Sequence, residues 1–151
     1  NMVLEVVMCL AINIYHESRS EPFLGQVSVA HTVMNRVESQ HYPDNACDVV
    51  HQGPIEESWK TKQFKDLAEA ERVYFPVKNK CQFSWYCDGK EDIIANEKAL
   101  LKAVKVALYV YSGESKDPTD GATHYHATYV KPYWAPHMKH QVTIGRHMFY
   151  K

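Results

Sequence analysis

Nowhere do the 151 residues string together the run of about eighteen apolar side chains that a membrane-spanning helix needs. Excess charge is lacking too. Seventeen Lys and Arg against 18 Asp and Glu leave a net charge of −1, with the basic residues scattered. That removes the basic stripe on which nucleic-acid binding depends. No internal repeat, low-complexity tract or Gly/Ser linker interrupts the chain, so residues 1–151 read as a single domain. Residues 2–13 carry Glu5 and show neither a basic leading region nor a small-residue cleavage site, so they do not read as a signal peptide. Cysteine is sparse, and the four present lack the paired C-x-x-C spacing of zinc and redox motifs. Cys9, on an apolar helix, is expected as a buried free thiol. One bridge is expected among Cys47, Cys81 and Cys87, as an oxidising compartment such as a periplasm would favour.

What is present suits a globular domain. Apolar residues make up 45% and charged residues 23%, and a domain of this length buries roughly 70% of the surface its unfolded chain exposes. Leu4, Val7, Ala11 and Ile14 recur at helical spacing, predicting a first helix that ends near Ser18. Ser20 as a cap, Pro22 in the first turn and the apolar positions Val27, Ala30, Met34 and Val37 predict a second helix to about Ser39. Asp44 is expected to cap a short helix through Val50. Another short helix is expected over residues 64–74. A third long helix is expected over residues 92–111, with Leu100, Val104, Ala107 and Tyr111 on one face. Beyond it, short strands are expected over residues 124–128 and 143–149.

Glu17 continues the inward stripe of the first helix and lies in its last turn. Burial and the negative end of the helix dipole both raise the pKa of a carboxyl placed there, which suits a general acid. Glu21, at the start of the next helix, is expected to stay ionised. Two carboxyls with opposite protonation tendencies form the pattern that assigns acid and base in glycosidases. A plain helix-end ion pair of Glu17 with Arg19 or Arg36 fits the same spacing.

The text around Glu17 narrows the choice. Ile14-Tyr15-His16-Glu17-Ser18-Arg19-Ser20-Glu21-Pro22, Gly25-Gln26-Val27 and Val33-Met34-Asn35-Arg36-Val37 resemble the signature of the spore-cortex-lytic (SleB-like) cell wall hydrolases. Gln82-Phe83-Ser84 with Asp88-Gly89 resembles that family's second block. Gly121-Ala122-Thr123-His124-Tyr125-His126, Pro132-Tyr133-Trp134 and residues 144–150 resemble its C-terminal block. The blocks keep the family's order across nearly the whole chain. His16 and Ser20 stand where the family more often has Gly, and residues 54–80 look like an insertion.

The resemblance implies a mainly α (α+β), lysozyme-like helical domain with short C-terminal β-strands. It further implies cleavage of bacterial peptidoglycan at the cell wall, commonly as a lytic transglycosylase, with Glu17 as catalyst and no cofactor or metal. The lack of a wall-binding repeat suits a stand-alone catalytic domain such as a bacteriophage endolysin. A hydrolytic muramidase would need a second carboxylate, for which Glu21 and Asp88 are the candidates. Gln82, Phe83, Ser84 and Trp85 offer the amide, hydroxyl and ring faces that suit sugar recognition, although a packed loop fits equally. His124, Tyr125 and His126, with Trp134, are expected to line the same groove, and in a strand His124 and His126 share one face. Glu21 with Arg36 is expected as a structural pair, and Asn35 as a partner for buried backbone. A zinc-dependent stem-peptide hydrolase using His124, His126 and another of the late histidines is the rival from another class, yet Ser20 stands where H-E-x-x-H spacing needs its second His. A non-catalytic glycan-binding module is the third.

Overall fold

The computed structural model describes residues 1–151. In chain order it contains helices α1 (Met2–Ser18), α2 (Phe23–Glu38) and α3 (Ala46–Val50), strand β1 (Ile55–Glu57), helix α4 (Trp59–Lys62), strand β2 (Tyr74–Pro76), helix α5 (Glu97–Tyr111), and strands β3 (His124–Ala127), β4 (His140–Ile144) and β5 (His147–Tyr150). Single 3-10 turns cover Glu69–Glu71, Ser84–Cys87 and Ala135–His137. The class is α+β, as expected. None of the helices is long and apolar enough to cross a membrane. The chain divides into two compact units, residues 1–50 with 94–151, and residues 51–93.

In the first unit α1 packs against α2, α3 and α5. Its stripe of Val7, Leu10, Ala11 and Ile14 is buried, whereas Leu4 is exposed because the first turn lies outside the core. The α5 face differs slightly from the expected one: Ala103, Val106, Ala107 and Val110 are buried, and Tyr111 is exposed. α5 starts later than expected because the Asn96 side chain caps it, accepting from Ala99 N at 3.0 Å. The Tyr15 hydroxyl receives the N–H groups of Ala95 and Asn96, each at 3.2 Å, and so ties that start to α1.

Two other caps also differ from expectation. Pro22, not Ser20, is the N-cap of α2, and no side chain makes a capping hydrogen bond there. For α3 the side chain of Asn45, not Asp44, accepts from Asp48 N at 2.9 Å. Nor is Cys9 a free thiol. It is bonded to Cys47, because α1 lies beside α3 and brings the two Cα atoms to 5.2 Å. Cys81 pairs with Cys87, leaving no free cysteine.

The C-terminal strands form an antiparallel sheet in the order β3-β5-β4. The single strand expected over residues 143–149 is two strands, folded back at Gly145, whose φ of +58° favours glycine. Tyr125 pairs with Phe149 and Ala127 with His147, while His124 pairs with Tyr150 and His126 with Met148. Because side chains alternate across a sheet, the first four residues share its inner face and the last four its outer face. The inner face joins Val29 of α2 in a cluster with Ala122, Ile144 and Phe149, against which Tyr125 and Val142 pack. Asn35 does satisfy backbone, donating to Ala122 O at 2.9 Å and also to Asp117 at 2.8 Å. Arg36 donates to Thr123 O at 2.7 Å. The strand that follows this loop is thereby fixed against α2.

In the second unit β1 and β2 pair antiparallel, Ile55 opposite Pro76. The helix expected over residues 64–74 does not form. Instead the chain wraps the guanidinium of Arg72, which donates to the carbonyls of Phe64 (3.1 Å), Lys65 (3.2 Å) and Leu67 (3.0 Å) and to Glu57 (2.9 Å). Carbonyls that point inward to one cation are not available for a helical ladder.

Candidate active site

Glu17 occupies the last turn of α1, as the stripe predicted, and is partly buried. The Tyr125 hydroxyl, from the inner face of β3, donates a hydrogen bond to Glu17 Oε1. Burial raises the Glu17 pKa above its ordinary value, while the Tyr125 bond and the positive charge of Arg36 pull it part of the way back. Burial, and next the Glu17 charge, hold the Tyr125 pKa well above the usual phenol value. Tyr125 thus keeps its proton and acts as a donor to whichever form of Glu17 is present.

Glu17 opens into a polar pocket of about 180 Å³, lined also by Ser20, Glu21, Ala127, Tyr129, Arg146 and His147. Glu21 is the second carboxylate there, and it is nearly sealed from solvent at 7% exposure. Its Oε1 accepts from Arg146 N at 2.7 Å and its Oε2 from Arg146 Nε at 3.3 Å. His147 Nδ1 lies 3.8 Å from Glu21 Oε1. Burial lowers the His147 pKa, with Glu21 pulling the other way, and its ring lies 5.1 Å from that of Tyr125. Glu21 accordingly fixes the β4–β5 turn against the segment between α1 and α2.

Of the other expected site residues, Tyr125 alone shares the inner face with the Glu17 pocket. His124 and His126 do share one face, but it is the outer one, because every second residue of a strand points the opposite way. Trp134 joins them there, with its ring 5.1 Å from that of His124 and 5.6 Å from that of His126. Gln82, Phe83, Ser84 and Trp85 belong to the second unit, in and just before the 3-10 turn closed by Cys81 and Cys87. Phe83 is 3% exposed, so it is a packed residue. Gln82 N donates to Gln52 O at 2.9 Å, and Trp85 lies edge-on to Tyr86, which stacks on His51 at 4.4 Å. No group of three His, Cys, Asp or Glu side chains converges in a way that would hold a metal ion. His126 in particular has Nδ1 on Ala127 O at 2.7 Å and Nε2 on the Tyr150 hydroxyl at 2.8 Å.

Sequence reasoning gave Ser20 only a capping role and placed Ala127, Tyr129, Arg146 and His147 in no site. The Gly145-Arg146-His147 run is a visible turn signal, yet nothing local shows that the turn folds onto a residue 125 positions earlier.

Known proteins give a consistent answer. The cell wall hydrolase family profile matches residues 20–150, beginning just after Glu17. A spore cortex-lytic enzyme of Halalkalibacterium halodurans is 30% identical over 147 residues, which are 95% of this chain and 34% of that protein. The chain thus spans about a third of that relative's length. A spore cortex-lytic enzyme of Bacillus cereus is 43% identical over 44 residues, 29% of this chain and 17% of the other. Among solved structures, the catalytic domain of the Bacillus cereus SleB protein superposes with a TM-score of 0.61 and 26% identity, covering 98% of this chain and 91% of that one. The catalytic domain of the germination-specific lytic transglycosylase SleB from Bacillus anthracis gives 0.64 and 27%, covering 96% and 93%. With a profile match over most of its length and the same fold as these domains, the chain belongs to the cell wall hydrolase family.

Proposed function

We propose that the chain cleaves the glycan strands of bacterial peptidoglycan between N-acetylmuramic acid and N-acetylglucosamine as a lytic transglycosylase, with Glu17 as both acid and base. One observation carries the reading: a buried carboxyl of raised pKa, oriented by a tyrosine, opens into a pocket whose other carboxylate is already engaged. Protonated Glu17 donates its proton to the bridging oxygen as the bond to C1 of the muramic acid breaks. The Tyr125 bond and the Arg36 charge then stabilise the carboxylate that results. That carboxylate accepts the proton of the sugar's own 6-hydroxyl, whose oxygen closes on C1. The product is a 1,6-anhydro sugar, and Glu17 is left protonated for the next cycle.

The hydrolytic alternative needs a second carboxylate, free to act as nucleophile or to activate water. Glu21 is the one carboxylate that shares the pocket, and Arg146 occupies both of its oxygens. That favours the anhydro route, in which the nucleophile belongs to the substrate. Family relatives named as spore cortex-lytic enzymes and as a lytic transglycosylase support the same reading. The test is mass spectrometry of peptidoglycan digested by the wild type and by Glu17→Gln. Anhydromuramic products from the wild type, and a loss of about 10²–10⁴-fold in rate for the variant, are expected for removal of a general acid. Products with only reducing-end muramic acid would overturn the transglycosylase route, and unimpaired lysis by Glu17→Gln would overturn the role of Glu17.

A further inference from the structure

The outer face of the C-terminal sheet is built from residues that the Glu17 chemistry leaves unused. The His126 ring stacks on that of Tyr150, 5.2 Å between centroids and 24° between planes, and Trp134 stands edge-on to Tyr150 at 5.4 Å. Both nitrogens of His126 are engaged and Tyr150 is only 7% exposed, so Tyr150 underlies this aromatic platform and the half-buried His126 and Trp134 present its accessible rings. Beside it lies a largely apolar groove of about 410 Å³, lined by His126, Val130, Lys131, Pro136, Met148 and Tyr150 among others. Its size and its few polar groups are those of a ligand site. Tyr133, on the adjoining loop, is 88% exposed.

Charge adds a second, independent feature. Residues 121–151 contain no Asp or Glu, yet they carry Lys131, Lys139, Arg146 and Lys151 and five of the nine histidines. Lys131, at the groove, makes no salt bridge. Arg146 is paired with Glu21 at the Glu17 pocket, so the groove's own cation is Lys131, which stands beside its aromatic rings. Such a surface complements a polymer of pyranose rings that bears carboxylates, as a peptidoglycan strand with its stem peptides does. The groove and the pocket already described lie on opposite faces of the same strand. Ala127 and Tyr129 line the Glu17 pocket, while His126, Thr128 and Val130 line the groove, so one strand and its turn alternate between the two.

We propose that this outer face is a second glycan-binding surface, which holds an uncleaved, stem-peptide-bearing peptidoglycan strand by stacking its sugar rings and pairing Lys131 with a stem carboxylate. The proposal rests on the peptidoglycan reading above. It assigns wall retention to the outer face and bond cleavage to the inner one.

The test uses the double variant Val130→Asp/Lys131→Glu, at two exposed positions remote in role from Glu17. In a Glu17→Gln background, which leaves the wall intact, co-sedimentation with purified sacculi reads the affinity. With Glu17 present, cleavage of short soluble peptidoglycan oligomers reads the chemistry. About tenfold weaker retention on sacculi is expected from reversing the charge and polarity of the groove, with oligomer cleavage and thermal melting unchanged. N-acetylated glycan oligomers should displace the parent from sacculi. Unchanged retention by the double variant, or displacement by free stem peptide but not by glycan, would overturn the proposal while leaving the peptidoglycan reading intact. Failure of the Glu17-bearing parent to cleave either substrate would overturn the peptidoglycan reading first, and this inference with it.

Discussion

Glu17 sits where ionising it costs stability. Its pKa is raised on folding, chiefly by burial, so the folded chain binds the carboxyl proton more tightly than the unfolded chain does. Its ionised form is therefore penalised in the fold. Stability falls as pH climbs out of the ordinary carboxylate range through the raised value. Glu17→Gln removes that titration and keeps an oxygen for the Tyr125 hydroxyl. Its melting temperature is expected to match the wild type in acid and to exceed it at neutral pH, as differential scanning calorimetry would show. Tyr125→Phe tests the other partner. Loss of a hydrogen bond to a charged group is expected to lower the cleavage rate about tenfold or more. Because that bond lowers the Glu17 pKa, its removal should move the fall of rate with rising pH to higher pH. A pH–rate profile that kept its wild-type midpoint would refute the tuning role.

At the scale of elements, the β4–β5 turn matters most because it carries Arg146 to Glu21. Gly145 has φ +58°, and a Cβ there would lie 2.5 Å from Glu21 Oε1 and 3.2 Å from Pro22 Cδ. Gly145→Ala therefore meets both backbone strain and a clash, and a loss of about 1–3 kcal/mol is expected in urea denaturation. The damage should reach the pocket as well, since Arg146 and His147 line it. Glu21→Gln is milder in shape. It weakens the bonds to Arg146 N and Arg146 Nε, at an expected cost of about 1–3 kcal/mol. If Glu21 is structural, cleavage measured well below the melting temperature should fall far less than in Glu17→Gln.

For the whole molecule, the disulfide between Cys9 and Cys47 spans 38 positions and joins α1, which carries Glu17, to α3. Closing a loop of that length in the unfolded chain is worth about 3–4 kcal/mol in the chain-entropy account. A Cys9→Ala/Cys47→Ala variant should melt several degrees lower without reductant, and reduction of the wild type, which also opens Cys81–Cys87, should cost at least as much. The sequence determined much of the rest. Helical spacing placed α1 and α2, and the sequence pattern placed β3, because these patterns are set by neighbours in the chain, whereas the fold-back at Gly145 that makes β4 and β5 two strands was not read from it. Glu17 itself was legible, since its helix stripe and the family-like text around it are local. Tertiary structure alone decided its partners. Tyr125 lies 108 positions away, and its contact with Glu17 depends on β3 packing its inner face toward α2. Alternation made His124 and His126 share a face, as the sequence indicated, but not which face. That choice came from the apolar cluster of Val29, Ala122, Ile144 and Phe149, which claims the side of the sheet where Tyr125 lies. The same packing gave Glu21 its partner in Arg146 and brought Cys9 to Cys47. Periodicity encodes which residues point together, whereas burial of the sheet against the helices determines what they meet.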